Sequence, residues 1–312
     1  MREADRVGGL WIDLLDPTPE EIERHLPGNV HDQALAQLLA PARHEDEPRP
    51  RLEAHGDYVF GVFLIAVAVQ EEDAVYLQEI DLVLAADVLV TVRKSPEHGR
   101  APYDPASARA SCRPDDPVGM VVYHVVDDIA ERFLDLVDTL TDEIDELEDG
   151  VDSWEPERVR RRISDLRHDM LHIRRLLAPT RDAVRQVVDD RIELDDAPDR
   201  GDVFPRDVEL SFAAAYDKLL RATDGLELAR DLVAGVRDYH QSKVANDQNE
   251  VMKRLTVVAS VLLLPTFIVG LYGQNFHDIP ELRWAWGYGW SWALIAVTTI
   301  AQLAFFRWKN WI

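Results

Sequence analysis

The chain has 312 residues, with 34 basic and 58 acidic side chains, a net charge of −24 and a single cysteine, Cys112. So acidic a surface repels phosphates, which excludes nucleic acid as a partner, and one cysteine excludes an intrachain disulfide framework or a cysteine zinc site. Residues 251–312 hold five basic and two acidic side chains, a balance of +3, so the first 250 residues carry −27. An acidic body is thus joined to a short, apolar, slightly basic tail. The acidity keeps the body soluble and can draw cations to its surface.

In chain order, the N-terminal stretch MREADRVGGLWIDLLD has no apolar core long enough for a signal peptide, which predicts a body that stays in the cytoplasm. WIDLLDPTPEEIERHL (11–26) reads as a strand and then a helix, with Thr18 as N-cap, Pro19 as first helical residue and Glu21 as capping-box partner. Residues 57–69, 74–87 and 88–94 are β-rich runs separated by turn signals. Residues 1–112 are therefore predicted to form a small α/β domain, without internal repeats or a phosphate-cradling glycine loop.

From about Asp115 the pattern turns helical. Tyr123, Val126, Ala130, Phe133, Val137, Leu140, Ile144, Leu147 and Val151 give one apolar face, and the opposite face is dense with Asp and Glu. The next helix, PERVRRRISDLRHDMLHIRRLL (156–177), is rich in arginine, so residues 113–204 read as an antiparallel acidic–basic pair. His168 and His172 stand one turn apart; with no third ligand evident, a solvated face is favoured over a metal site. A loop is predicted over 195–205. Beyond Pro205 nothing interrupts the helical pattern until Gly273, giving a helix on the order of 100 Å long, with residues 205–254 as a stalk.

Two uncharged runs close the chain: LTVVASVLLLPTFIVGLYG (255–273) and GYGWSWALIAVTTIAQLAFF (287–306). Each matches the ~20 apolar residues that cross a bilayer. Lys253 and Arg254 before the first, and Arg307 and Lys309 after the second, place the outer ends and the 307–312 tail in the cytoplasm and the 274–286 loop outside. Trp284, Trp286, Tyr288, Trp290 and Trp292 form an outer aromatic belt, and Trp308 and Trp311 an inner one. Pro265, inside the first span, is tolerated there as a kink.

Stepping back from Gly273 in alternating threes and fours gives Gly270, Thr266, Leu263, Ala259, Thr256, Met252, Asn249, Ala245, Gln241 and Asp238, none aromatic or basic. This seam repeats every 3.5 residues, as in parallel packed helices. Small residues of this kind also serve plain helix packing in lipid. The alternation of polar rings with apolar ones is what a gated cation pore needs. A two-span chain cannot enclose a pore, so that reading requires a cyclic homo-oligomer.

WIDLLDPTPEE (11–21), EIDLVLAADVLVTVRKS (79–95), DEIDELE (142–148), NEVMKRLTVVASVLLLPTFIVGLYGQNF (249–276), PELRWAWGYGW (280–290) and the closing RWKNWI resemble the CorA family of divalent-cation (magnesium/cobalt) transporters, over nearly the whole chain. The resemblance implies an α+β cytoplasmic domain, a long helical stalk and two transmembrane helices per subunit, assembled as a homopentamer in the lipid bilayer. It implies transport rather than enzyme chemistry, with no cofactor. The transported ion is mainly magnesium, with zinc, cobalt and nickel as the other candidates.

In the family, Gly-Met-Asn follows a tyrosine and five such loops ring the outer pore mouth; here the residues are Tyr272, Gly273, Gln274 and Asn275. By analogy Asn275 holds the hydrated ion through its outer shell, which avoids the large cost of dehydrating magnesium. Glu281 matches the family's loop acid, and Asp238 an axial acid and further candidate ligand. Gln274 replaces methionine; a zinc-transporting branch also changes this position, which keeps open zinc transport, with or without coupled protons, beside magnesium transport and a non-transporting cation sensor. The family's regulatory acid in Arg-Asp-x-Tyr-Asp falls at Ala214 of Ala213–Asp217 and is absent.

Overall fold

The computed structural model describes residues 6–7, 9–26, 30–41, 47–69, 74–85, 88–96, 101–194, 203–275 and 279–312. They fall into two compact units, Met1–Val236 and Arg237–Ile312.

The first unit opens with strands β1 (Arg6–Val7) and β2 (Gly9–Leu15), then helices α1 (Pro19–His25) and α2 (Asp32–Leu39). Four strands follow: β3 (Arg51–His55), β4 (Tyr58–Val69), β5 (Ala74–Ala85) and β6 (Val88–Arg93). The predicted capping box starts α1: the Thr18 N–H donates to Glu21 Oε2 at 2.9 Å, and the Glu21 N–H donates to Thr18 Oγ1 at 3.3 Å. The six strands form one sheet in the order β1-β2-β6-β5-β4-β3, antiparallel throughout except for the parallel pair β2–β6. Strand pairing across residues far apart in sequence is bolted by side chains. Thr91 Oγ1 accepts from Trp11 Nε1 (3.0 Å) and donates to Asp13 (2.9 Å), and the Arg93 guanidinium grips the same carboxylate at 2.7 Å.

Alternation along the strands makes both faces of the sheet apolar. Ile12, Phe60, Val62, Val83, Val90 and Val92 pack with Ile22 of α1 and Ala34 and Leu38 of α2. The other face, including Trp11, Leu52, Phe63, Ile80, Leu82 and Leu89, meets the helices that follow. These are α3 (Ala106–Ser111), α4 (Val118–Gly150), α5 (Pro156–Val188) and α6 (Arg206–Tyr272). Strands β1 and β3 and helices α2 and α3 are additions to the elements expected from the sequence. The segment 195–202 of the predicted loop lies outside the described residues.

Within the helical layer the expected apolar stripe of α4 is buried from Val126 to Val151, with Tyr123 half-buried. The acidic face is only partly solvated. Arg162 of α5 reaches Glu143 at 2.8 Å, and Lys218 of α6 bridges Asp127 (2.9 Å) and Glu131 (2.8 Å). The α4–α5 turn is set by Gly150, on which Trp154 rests, with Arg158 stacked over the indole at 4.0 Å.

The second unit contains the end of α6, a 3-10 turn (Pro280–Arg283) and α7 (Gly287–Trp308). Helix α6 is a single element of 67 residues and runs through Pro265 without a break. The most apolar windows of α6 and α7 are only 11% and 6% buried. Helices that form the core of a soluble protein are covered; these two are bare, as lipid-facing helices must be.

Candidate functional site: the uncovered seam of α6 and its terminal turn

Helix α7 covers one flank of α6. Val257 and Ile268 are buried, and the amide of Gln302 on α7 donates to the carbonyl oxygen of Ser260 at 3.2 Å. The predicted seam lies on the other flank. Asp238, Gln241, Asn249, Met252, Thr256, Ala259, Leu263, Thr266 and Gly270 are all exposed, Leu263 at 71%. A Cβ added at Gly270 would meet nothing within 4 Å. Among the described residues, no element covers this mainly small and polar stripe.

The hydroxyls on the stripe are set for a particular chemistry. Thr256 Oγ1 donates to Met252 O (2.8 Å) and Thr266 Oγ1 donates to Leu262 O (2.7 Å). Each proton is spent on the helix backbone, so the lone pairs that remain can only accept. A hydrated cation presents water protons outward, and acceptor oxygens are its natural lining. Asp238 carries a second interaction that the spacing did not reveal: Arg237 binds its carboxylate at 3.0 Å.

Helix α6 ends at Tyr272. The Gly273 N–H donates to Val269 O at 2.9 Å, and Gly273 then leaves the helix, followed by exposed Gln274 and Asn275. Any side chain at Gly273 would crowd Val269 O at 3.0 Å. Phe276–Asp278 lie outside the described residues. Glu281 stands in the 3-10 turn, half-exposed, and its carbonyl accepts from the Trp284 N–H at 3.2 Å. Edge-to-face pairs Trp284–Trp290 (6.3 Å) and Tyr288–Trp292 (6.5 Å) brace the start of α7. Sequence reasoning missed Gln302, although an amide inside an apolar span is a readable signal.

No group of three or more His, Cys, Asp or Glu side chains is set to hold a metal among the described residues. His172 instead pairs with Glu47 at 2.7 Å, a hydrogen bond that raises the imidazole pKa against the opposing effect of burial. His168 is exposed.

A sheet-bearing unit, a long helix and a pair of bare apolar helices joined by a glycine–amide turn define a two-span membrane protein rather than a soluble enzyme. The sequence matches the family model described as CorA-like Mg2+ transporter protein over residues 8–308, and the chain belongs to that family. It is 29% identical over 292 residues to the Cobalt/magnesium transport protein CorA of Thermotoga maritima, covering 91% of this chain and 77% of that one. The solved structure of the complete CorA magnesium transporter from Methanocaldococcus jannaschii superposes with a TM-score of 0.76 at 21% identity, covering 100% of this chain and 93% of that one. The ZntB cytoplasmic domain from Vibrio parahaemolyticus superposes with a TM-score of 0.56 at 16% identity, over 76% of this chain and 88% of that one, a likeness of fold alone. The chain is a divalent-cation transporter of CorA architecture.

Proposed function

We propose that this chain is one subunit of a homo-oligomeric, channel-like transporter whose main ion is magnesium. Identical copies of α6 surround an axis, five by the family resemblance. Asn275, with Tyr272, Gly273, Gln274 and Glu281, captures the hydrated ion at the outer mouth, and the seam from Gly270 down to Asp238 lines its path. Residues 1–112 and 113–204 form the cytoplasmic body, 205–254 the stalk, 255–273 and 287–306 the spans, 274–286 the external loop and 307–312 the cytoplasmic tail, in the cell (inner) membrane. The observation that supports this reading best is the uncovered, acceptor-rich seam of α6 beside a flank that α7 already occupies.

The test is uptake into liposomes loaded with a magnesium-sensitive dye. Wild-type protein admits magnesium; Asn275→Ala assembles normally and falls to the rate of empty liposomes. Wild-type flux in that variant removes the loop from selectivity, and no flux in the wild type removes the transport mechanism. Gln274 favours a second reading, zinc transport through the same fold with or without coupled protons. A flux panel over magnesium, zinc, cobalt and nickel, run with and without a proton gradient, separates the two.

A further inference from the structure

Helix α5 carries more arginine than its pairing with α4 uses. Arg162 binds Glu143 of α4, but Arg167, Arg174 and Arg181 recur every seven residues on a different face, roughly 10 Å apart along the axis. With Arg230 of α6 they line a cleft of about 460 Å³ that lies wholly inside the first unit. From this geometry we infer that the cleft binds a nucleoside triphosphate, with its phosphates on the arginines and its base on the apolar floor.

The charge of the cleft calls for an anion. Four guanidiniums share the lining with one acid, Glu227. Arg174 meets Glu227 at 3.6 Å with both side chains more than half exposed, a pair worth little in water. Arg181 reaches Asp182, its sequence neighbour, which does not line the cleft. Arg167 and Arg230 have no acidic partner among the described residues. In a chain of net charge −24, so local an excess of positive charge repels itself and is relieved by a bound anion. The planar guanidinium fork matches phosphate oxygens in pairs.

Two features select a nucleoside over bare phosphate. The α6 wall sets acceptors beside the arginines: Thr223 Oγ1 donates to Leu219 O at 2.7 Å, so its lone pairs are left to accept, and the Glu227 carboxylate only accepts. A sugar hydroxyl donates to such groups, whereas a fully ionised phosphate has no proton to give. The floor is apolar: Met170, Leu177 and Leu226 are buried beneath it, and Leu171 at its side is 54% exposed. A base laid on this surface removes apolar area from water, and the volume falls in the range of about 300–1,000 Å³ usual for small-ligand sites. None of these residues lies on the proposed ion path, so nucleotide binding is independent of the flux test.

The experiment uses the full chain in detergent, in magnesium-free buffer with a chelator, and measures binding of ATP, tripolyphosphate and adenosine by titration calorimetry. ATP is expected to bind, with tripolyphosphate about tenfold weaker and adenosine weaker still. Arg167→Gln weakens ATP about tenfold, the usual worth of a charged hydrogen bond, and the double variant with Arg230→Gln weakens it further. Both side chains are exposed, so the helical circular-dichroism signal is unchanged. Thr223→Val weakens ATP about fivefold and leaves tripolyphosphate as it was. Arg160→Gln, exposed on α5 but outside the cleft, changes nothing. ATP affinity unchanged in the double variant, or lowered as much by Arg160→Gln, overturns the site. Equal binding of tripolyphosphate makes it a general polyanion site, and no binding at millimolar ATP leaves no site; both overturn the proposal.

Discussion

Asp81 is fully buried in β5 beside Glu79 and Lys94. Lys94 Nζ lies 3.1 Å from Asp81, contacts Glu79 and donates to Gln37 O, while Gln37 Nε2 also donates to Glu79. Two carboxylates share one ammonium, so burial, and then the charge of Glu79, push the Asp81 pKa well up. Below the carboxyl's unfolded pKa of about 4 both states hold the proton and the group is silent. Above it the unfolded chain ionises first, so this residue erodes stability as pH rises towards its raised folded value. Asp81→Asn is expected to flatten that part of the pH dependence, read as hydrogen exchange of β5 amides between about pH 5 and 8. Lys94→Met removes the one cation the two acids share, leaving Glu79 only the Gln37 amide, and is expected to cost about 3–5 kcal/mol. An unchanged β5 protection factor in that variant would show that the cluster is not a paired network.

Glycines of two kinds separate packing from assembly at the scale of the helix. A Cβ on Gly119 in the first turn of α4 would stand 2.1 Å from the Val203 carbonyl oxygen, whereas one on Gly270 would stand in open space. Gly119→Ala is expected to destabilise the first unit by about 1–3 kcal/mol, seen as a lowered thermal midpoint. Gly270→Ala is expected to leave the helical circular-dichroism signal intact and, if α6 lines the proposed ion path, to lower ion flux by adding a methyl group where the single chain has open space. Equal effects of the two on folding would mean that α6 has no neighbour at Gly270. Long periodic elements were legible in the sequence: α4, α5, α6 and α7 carry their stripes or uncharged runs, and β4–β6 their β-branched density. Strand β3 was not, because RLEAH is a short edge segment with two formal charges. Helix α2 lacks a side-chain cap at His31 and so carries no start signal. The parallel β2–β6 pairing depends on contacts 80 residues apart, which no local pattern encodes. Of the candidate site, the seam could be listed from spacing, but which flank α7 occupies came only from Val257, Ile268 and Gln302.

The orientation of the whole molecule can be read with thiols, because Cys112 offers little interference. It is half-buried, and burial followed by the nearby Asp116 charge pushes its pKa up to about 11. At neutral pH it should react slowly with maleimides, the thiolate being the nucleophile. In a Cys112→Ser background, Arg283→Cys is expected to label from outside intact cells with a membrane-impermeant maleimide, and Asn310→Cys only after permeabilisation. The reverse pattern would invert the proposed topology.

The 3.5-residue repeat between Asp238 and Gly270 has a geometric corollary. A straight α-helix turns such a stripe by roughly 20° every seven residues, close to a right angle over this length. Copies that keep Asn249 and Thr266 facing one centre line must therefore coil about each other as a left-handed rope. In the proposed oligomer, straightening that rope would turn the two ends of the seam away from the centre line in opposite senses, so coiling and the alignment of the acceptor oxygens are one property.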